Sequence, residues 1–190
     1  MTEDADDETL MLRYAQGDAG AFAVLYERHK RGLYRFCLRM AADRGRAEEV
    51  FQDAWVNLIQ ARDRYRVEAR FTTFLYQIAR NRMIDVLRRD GKVAFSLEDD
   101  EGAALAGSLE AANSDPPERM LERKQDATRI VEAVEALPAV QREAFLMHEE
   151  GELTLEEIAV LTGVGRETVK SRLRYALNRL RSVLREGGDG

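Results

Sequence analysis

Apolar residues recur along most of this chain at intervals of three and four, a period that fits α-helix and little else. The positions Phe22, Leu25, Tyr26, His29, Leu33, Phe36, Cys37 and Met40 mark one face of a long helix, with Asp18 placed to cap its start. A shorter helix precedes it, starting after Asp6 or Asp7 and stopping near Gly17. A third follows Asp43, with Val50, Phe51, Ala54, Trp55, Leu58 and Ile59 inward and Glu48, Glu49, Gln52 and Asp53 on the other side. After the loop 65–71, Thr72 is placed to cap a fourth helix running to about Arg89. Its inward positions are Leu75, Ile78, Ala79, Met83, Val86 and Leu87, and Gln77, Asn81, Asp85 and Arg88 share an outward stripe. Three prolines in 190 residues, and few alternating Val/Ile/Thr runs, leave no convincing strand. The expected fold is all-α.

Periodicity fades from Val93 to Asp115, where Ala, Gly, Ser and acids take over, the composition of a flexible linker. Ser114 or Asp115 before Pro116-Pro117 signals a new helix, since proline is tolerated in a first turn whose N–H would be unpaired anyway. That helix runs to Leu137, Pro138 begins another, and Gly151 ends it. Thr154-Leu-Glu-Glu157 is a capping box. The reading is two small helical domains, residues 1–93 and 116–190, joined by a flexible acidic linker over 94–115.

Whole-chain charge, minus 6, argues against nucleic acid, but it is unevenly spread. Residues 1–10 carry five acids and no base, and 94–118 seven acids and no base; residues 11–93 carry 17 bases against 10 acids. One cysteine, Cys37, and two histidines, His29 and His148, exclude an internal disulfide and a His/Cys zinc site, so both Cys37 and His29 read as core residues. No metal and no cofactor are expected. No apolar run of about 18 residues and no signal-peptide pattern occur, which points to a soluble, cytoplasmic protein.

Residues 155–173 have the spacing of a helix-turn-helix: Ala159 is small where two helices cross, Gly163 permits a positive φ in the turn, and Ile158, Val164 and Val169 fill the space between. The second helix keeps Val169, Leu173, Ala176, Leu177, Leu180 and Leu184 on one face. Arg166, Lys170 and Arg174 fall on the other, with Glu167 and Ser171 beside them. Seven bases and one acid over 166–185 suit a DNA major groove, where Arg or Lys pairs with guanine edges and neighbours neutralise phosphates. In the first domain, Arg64, Arg66, Arg70, Arg80, Arg82, Arg88 and Arg89 interleave with Tyr65, Phe71, Phe74 and Tyr76, a composition that suits single-stranded nucleic acid, although several of these rings can equally serve the core. The acids Glu48, Glu49 and Asp53 lack a catalytic or metal partner and read as a solvated face or a docking surface.

Three segments in order resemble one family: Ala47-Glu-Glu-Val-Phe-Gln-Asp-Ala-Trp55, Phe74 through Arg89, and Leu137-Pro138 through Leu173. They are similar to bacterial sigma-70 factors of the extracytoplasmic-function (ECF) group. The resemblance implies a non-enzymatic subunit that binds core RNA polymerase, directs it to promoter DNA and helps nucleate strand opening. By it, Glu48, Glu49, Gln52 and Asp53 dock on the polymerase clamp helices, with a further contact to the flap. Arg66, Arg70, Phe71, Phe74, Arg80, Asn81 and Arg88 take the melted minus-10 element, a flipped base included. Arg166, Glu167, Thr168, Lys170, Ser171, Arg172 and Arg174 read the minus-35 duplex. An anti-sigma factor is a further implied partner. The chain departs from the family's habit at Phe74, where Trp is frequent, and at Tyr175 and Leu177, where bases are frequent. The alternatives are a stand-alone helix-turn-helix regulator, whose amino-terminal helices would dimerise, and an enzyme built on Glu48, Glu49 and Asp53. The acidic linker is expected to lie in a basic polymerase channel and to suppress DNA binding by the free factor.

Overall fold

A computed structural model describes residues 5–41, 43–89 and 128–186. Helices α1 (Asp7–Ala15), α2 (Ala19–Met40), α3 (Arg44–Ala61) and α4 (Phe71–Arg89) form the first bundle, with one 3₁₀ turn at Arg62–Arg64 after α3. The second holds α5 (128–135), α6 (Ala139–Gly151), α7 (Leu155–Thr162) and α8 (Arg166–Glu186). The linker 94–115 and the helix start at Ser114 to Pro117 lie outside the described residues.

Side-chain caps set the starts of the first three helices. Asp6, Asp18 and Asp43 accept from the backbone N–H groups of Thr9, Ala21 and Arg46, each satisfying a donor with no intrahelical partner. The fourth start differs from expectation. Helix α4 begins at Phe71, and Thr72 does not cap it: the residue is 7% exposed and its hydroxyl has no partner. The Phe71 N–H donates instead to Glu8 Oε1 of α1 at 2.7 Å, a cap supplied from 63 positions away.

Rings hold α1, α2 and α3 together: Phe22 lies 4.9 Å from Tyr14 and 5.9 Å from Trp55, and Tyr26 lies 5.0 Å from Trp55. Cys37 is fully buried, which pushes its thiol up to about 12 and leaves it a core residue rather than a reactive one. His29, expected in the core, is half-buried and meets Asp7 Oδ2 at 2.6 Å. Ile59, expected inward, is 37% exposed, since it stands one residue, or about 100° of helix, beyond the fully buried Leu58.

In the second bundle the capping box forms as read: Glu157 N–H donates to Thr154 Oγ1 and Thr154 N–H to Glu157 Oε2. Gly163 adopts φ 71°, the left-handed turn that lets α8 leave α7 sharply. The two bundles are not separate bodies. Helix α6 packs along α2 and against α4, α7 meets α4, and the buried side chains of both bundles form one continuous apolar cluster.

Candidate nucleic-acid interface

The loop after the 3₁₀ turn and the first turns of α4 surround a recess of about 310 Å³ lined by Arg64, Tyr65, Arg66, Glu68, Ala69, Thr73, Phe74 and Gln77. Tyr65 and Phe74 have ring centroids 5.3 Å apart; Tyr65 is buried and Phe74 half-buried. One local contact and one distant one hold this shape. Arg66 donates to the Tyr65 carbonyl at 2.9 Å, tightening the loop, and Glu8 fixes the end of the loop at Phe71 N–H. Glu8 was invisible to sequence reasoning because a carboxylate in an acidic amino-terminal run carries no mark of the helix start it will meet.

Residues expected to act together here separate into groups. Arg66, Arg70, Asn81 and Arg88 are exposed, and Gln77, Asn81, Asp85 and Arg88 do share an outward stripe of α4. Phe71 is fully buried, 5.2 Å from the His29 ring, and supports the loop from below rather than offering a free face. Arg80 turns into the contact between the bundles, where its Nε donates to Glu143 Oε1 at 2.9 Å. Glu143 is 2% exposed, and burial pushes its carboxyl up against the pull of Arg80.

On α8, Arg166, Glu167, Lys170 and Arg174 are exposed, with Thr168 and Ser171 half-buried beside them. Arg166 pairs with Glu156 of α7 and with Glu167, and Lys170 reaches Glu167 at 3.6 Å, so local acids hold these bases splayed along one face. Arg172 departs from the expected set. Six residues past Arg166, at about 100° per residue, it lies about 120° around the helix from it, is 3% exposed, and contributes charge to the environment of Glu143 inside the fold. On α3, the acids are also engaged: Arg82 of α4 donates to Glu49 and to Asp53, both at 2.6 Å, and Arg44 donates to Glu48 at 2.9 Å. Gln52 and Val56 remain exposed beside them. By sequence Arg82 is only one basic residue of α4; its neighbours on α3 give it a structural task.

Sigma-70 region 2 matches residues 25–93, and sigma-70 region 4 matches residues 127–180. An ECF RNA polymerase sigma factor of Cereibacter sphaeroides, RpoE, is 32% identical over 165 residues, covering 86% of both chains. This chain belongs to the ECF sigma factors. A second relative, SigW of Bacillus subtilis, is 28% identical over 178 residues, 90% of this chain and 92% of its own. Two solved structures share the fold, each at TM-score 0.64: CnrH in complex with the cytosolic domain of CnrY, at 21% identity over 97% of this sigma factor and 99% of that chain, and RpoE with the anti-sigma factor NepR from Bartonella quintana, at 22% over 86% and 96%. The sigma factor directs RNA polymerase to promoters, and the stand-alone regulator is not favoured. Its relatives are not catalytic enzymes. Among the described residues, no group of His, Cys, Asp or Glu could hold a metal, and no helix is long and apolar enough to cross a membrane.

Proposed function

We propose that the two halves of the sigma factor read a promoter in two physical states. The recess beside α4 takes an unstacked base of the minus-10 element, with Phe74 and Tyr65 as its apolar wall and Arg64, Arg66 and Gln77 as its polar rim. Extruding a base costs a few kcal/mol, and aromatic stacking returns roughly 1–3 kcal/mol per base, so hydrogen bonds at the rim supply the remainder. Arg66, Arg70, Asn81 and Arg88 track the strand that leads in and out. Phe71 holds the loop up, and Glu8 positions it by capping α4. The exposed face of α8, with Arg166, Lys170 and Arg174 and the hydroxyls of Thr168 and Ser171, reads the minus-35 duplex from the major groove. Glu167 keeps Arg166 and Lys170 extended.

The outer face of α3, with Glu48, Glu49, Gln52 and Asp53, docks on the polymerase clamp helices, and the second bundle meets the flap. Because Arg82 already holds Glu49 and Asp53, the docking face is an ordered acid and base lattice rather than three free carboxylates and an amide. An anti-sigma factor is a fitting partner, since one solved structure of this fold is a complex with the anti-sigma factor NepR and the other a complex with the cytosolic domain of CnrY. The sigma factor is non-enzymatic and works in the cytoplasm; the energy for opening comes from contacts made with the melted strand.

The observation that carries this reading is the aromatic recess set at the root of the exposed stripe of α4. Run-off transcription with purified core polymerase, on a promoter mapped by genomic binding, tests it. Transcripts should require the chain, and potassium permanganate should detect melted thymines only when it is present. Transcription at the same start without the chain would overturn the reading.

A further inference from the structure

The start of α1 carries three consecutive acids, and each has a separate partner. Asp6 caps its own helix by accepting from Thr9 N–H at 2.7 Å. Asp7 crosses to α2, where its Oδ2 accepts from His29 Nε2 at 2.6 Å and its Oδ1 from Arg28 at 2.8 Å. Glu8 crosses to α4 and accepts from Phe71 N–H at 2.7 Å. Arg28 ties the arrangement down by donating also to the Ala5 carbonyl at 2.8 Å. Beside a site for a polyanion, three uncommitted carboxylates would repel the ligand; each of these is committed to a donor.

Two residues that set the shape of the recess stand on this turn. Phe71, the first residue of α4, is fully buried and gripped at two points. Glu8 holds its N–H, and the His29 ring, itself held by Asp7, lies against the Phe71 ring with 5.2 Å between centroids and a tilt of 49°. Tyr65, a wall of the recess, is 4% exposed and its hydroxyl has no hydrogen-bond partner. Burial, reinforced by the charges of Glu8, Asp7 and Asp6, pushes that hydroxyl up to about 12, which sets the ring against the same turn of α1. The Thr72 hydroxyl is also buried without a partner. No side-chain hydrogen bond of Tyr65 or Thr72 fixes the recess, so its shape depends on what Phe71 rests on.

We propose that Asp7 and His29 are positioning residues for capture of the minus-10 base: through the His29 ring they orient Phe71 while Glu8 fixes its backbone, and the two grips together set the loop that walls the recess. This rests on the recess being the minus-10 site. A residue held at its N–H alone can pivot about that bond, and one held by ring contact alone can slide, so both grips are needed to fix position and orientation. Contact between rings is directional, and loss of Asp7 frees the imidazole to rotate away from its arrangement on Phe71. A wall already in place returns more of its stacking energy, because it does not have to be ordered as the base enters. The amino-terminal acids, which the sequence shows only as a charged run, thereby belong to the DNA site without touching DNA.

The test uses the full chain with core polymerase on the mapped promoter, with 2-aminopurine at the minus-10 base that unpairs. Its fluorescence reports the base leaving the stack, and circular dichroism sets a temperature at which every variant is folded. Asp7→Ala should lower the equilibrium constant for opening about fivefold, and Asp7→Asn, whose side-chain carbonyl still accepts from His29, should restore most of it. His29→Gln keeps a donor for Asp7 but takes the ring away from Phe71, and it should lose opening to a similar degree. Asp7→Ala combined with His29→Gln should be no worse than either alone, because both act through one contact. Binding of the minus-35 duplex should hold throughout. Opening at the parent level in Asp7→Ala and His29→Gln would overturn the positioning role, and so would losses that multiply in the combination or an equal loss of minus-35 binding. Phe74→Ala keeps the two readings apart: if it alone lowers opening, the recess stands and the role of Asp7 and His29 falls; if it too opens like the parent, the minus-10 assignment itself falls.

Discussion

Replacing Gly32 by alanine should strengthen a helix and weaken the contact between the two bundles in the same stroke. Within α2 the substitution removes glycine's excess backbone entropy and is worth about 1 kcal/mol of helix stability. Across the contact, the new Cβ meets the Glu150 carbonyl oxygen at 2.6 Å, where ordinary contact begins at 3.4 Å, so the end of α6 must retreat by about 0.8 Å. A gap of that size forfeits about a quarter to a half of each pairwise attraction along the crossing. It also stretches the Arg35 to Glu150 bonds beyond their 2.7 and 2.8 Å. Overpacking of this kind typically costs about 1–3 kcal/mol, and a loss of 1–2 kcal/mol lowers the closed population relative to the open one by roughly 5- to 30-fold. Hydrogen exchange followed by mass spectrometry on the full chain separates the two effects. Protection in the middle of α2 should hold or rise, while residues 148–153 should exchange faster. Equal loss in both segments would mean that α2 itself needs the glycine, and no loss at 148–153 would mean that the contact does not form in solution.

Other outcomes follow from the same contacts. Phe74→Ala removes one wall of the recess and should lower the yield of open complexes about tenfold in a permanganate assay, in line with a stacking loss of roughly 1–3 kcal/mol, while minus-35 duplex binding stays unchanged. Glu8→Ala leaves the first N–H of α4 without its acceptor; it should reduce strand opening in the same assay, Glu8→Gln should restore much of it through its side-chain carbonyl, and equal opening by all three would remove Glu8 from the site. Lys170→Ala should cost about 1–3 kcal/mol on the minus-35 duplex and relax discrimination at one base position, whereas equal weakening on all duplexes, with the slope of log affinity against log salt reduced by about 1, would make Lys170 a phosphate contact. Burial opposes ionisation of Asp7, but hydrogen bonds to His29 and Arg28 outweigh it and hold the carboxyl below its ordinary 3.8. A depressed carboxylate stabilises the fold above its unfolded value and loses that contribution as pH falls through the folded one, so thermal stability should drop below pH 3.8 and Asp7→Asn should flatten that drop. A variant with the same acid limb as the parent would remove Asp7 from the acid response.

Much of the molecule was legible because its causes are local. Asp18, Asp43, the Thr154 to Glu157 box and Gly163 act on backbone within four residues, so residue type and spacing suffice to place them. The outward stripe Gln77, Asn81, Asp85 and Arg88 was legible for the same reason, since side-chain direction follows from the helical period. The errors fell where two directions compete. Thr72 has the chemistry of a cap, but packing of the α4 start buries it and hands the task to Glu8. Arg172 has the chemistry of a DNA contact, but one residue of helical phase turns it toward Glu143.

By itself, the sequence determined an all-helical chain with a helix-turn-helix at one end, aromatic and basic residues around a loop near the middle, and a charge pattern that runs acidic, basic and acidic again. Only the tertiary structure decided which of those charges face solvent and which are spent on each other. Arg35 and Glu150 are 115 positions apart, and Arg80 and Glu143 63 apart, so no local window relates them. The physical reason is close approach: Gly32 and Gly151 remove the side chains that would hold the bundles apart, and the backbones then come near enough for carboxylates of one to reach cations of the other.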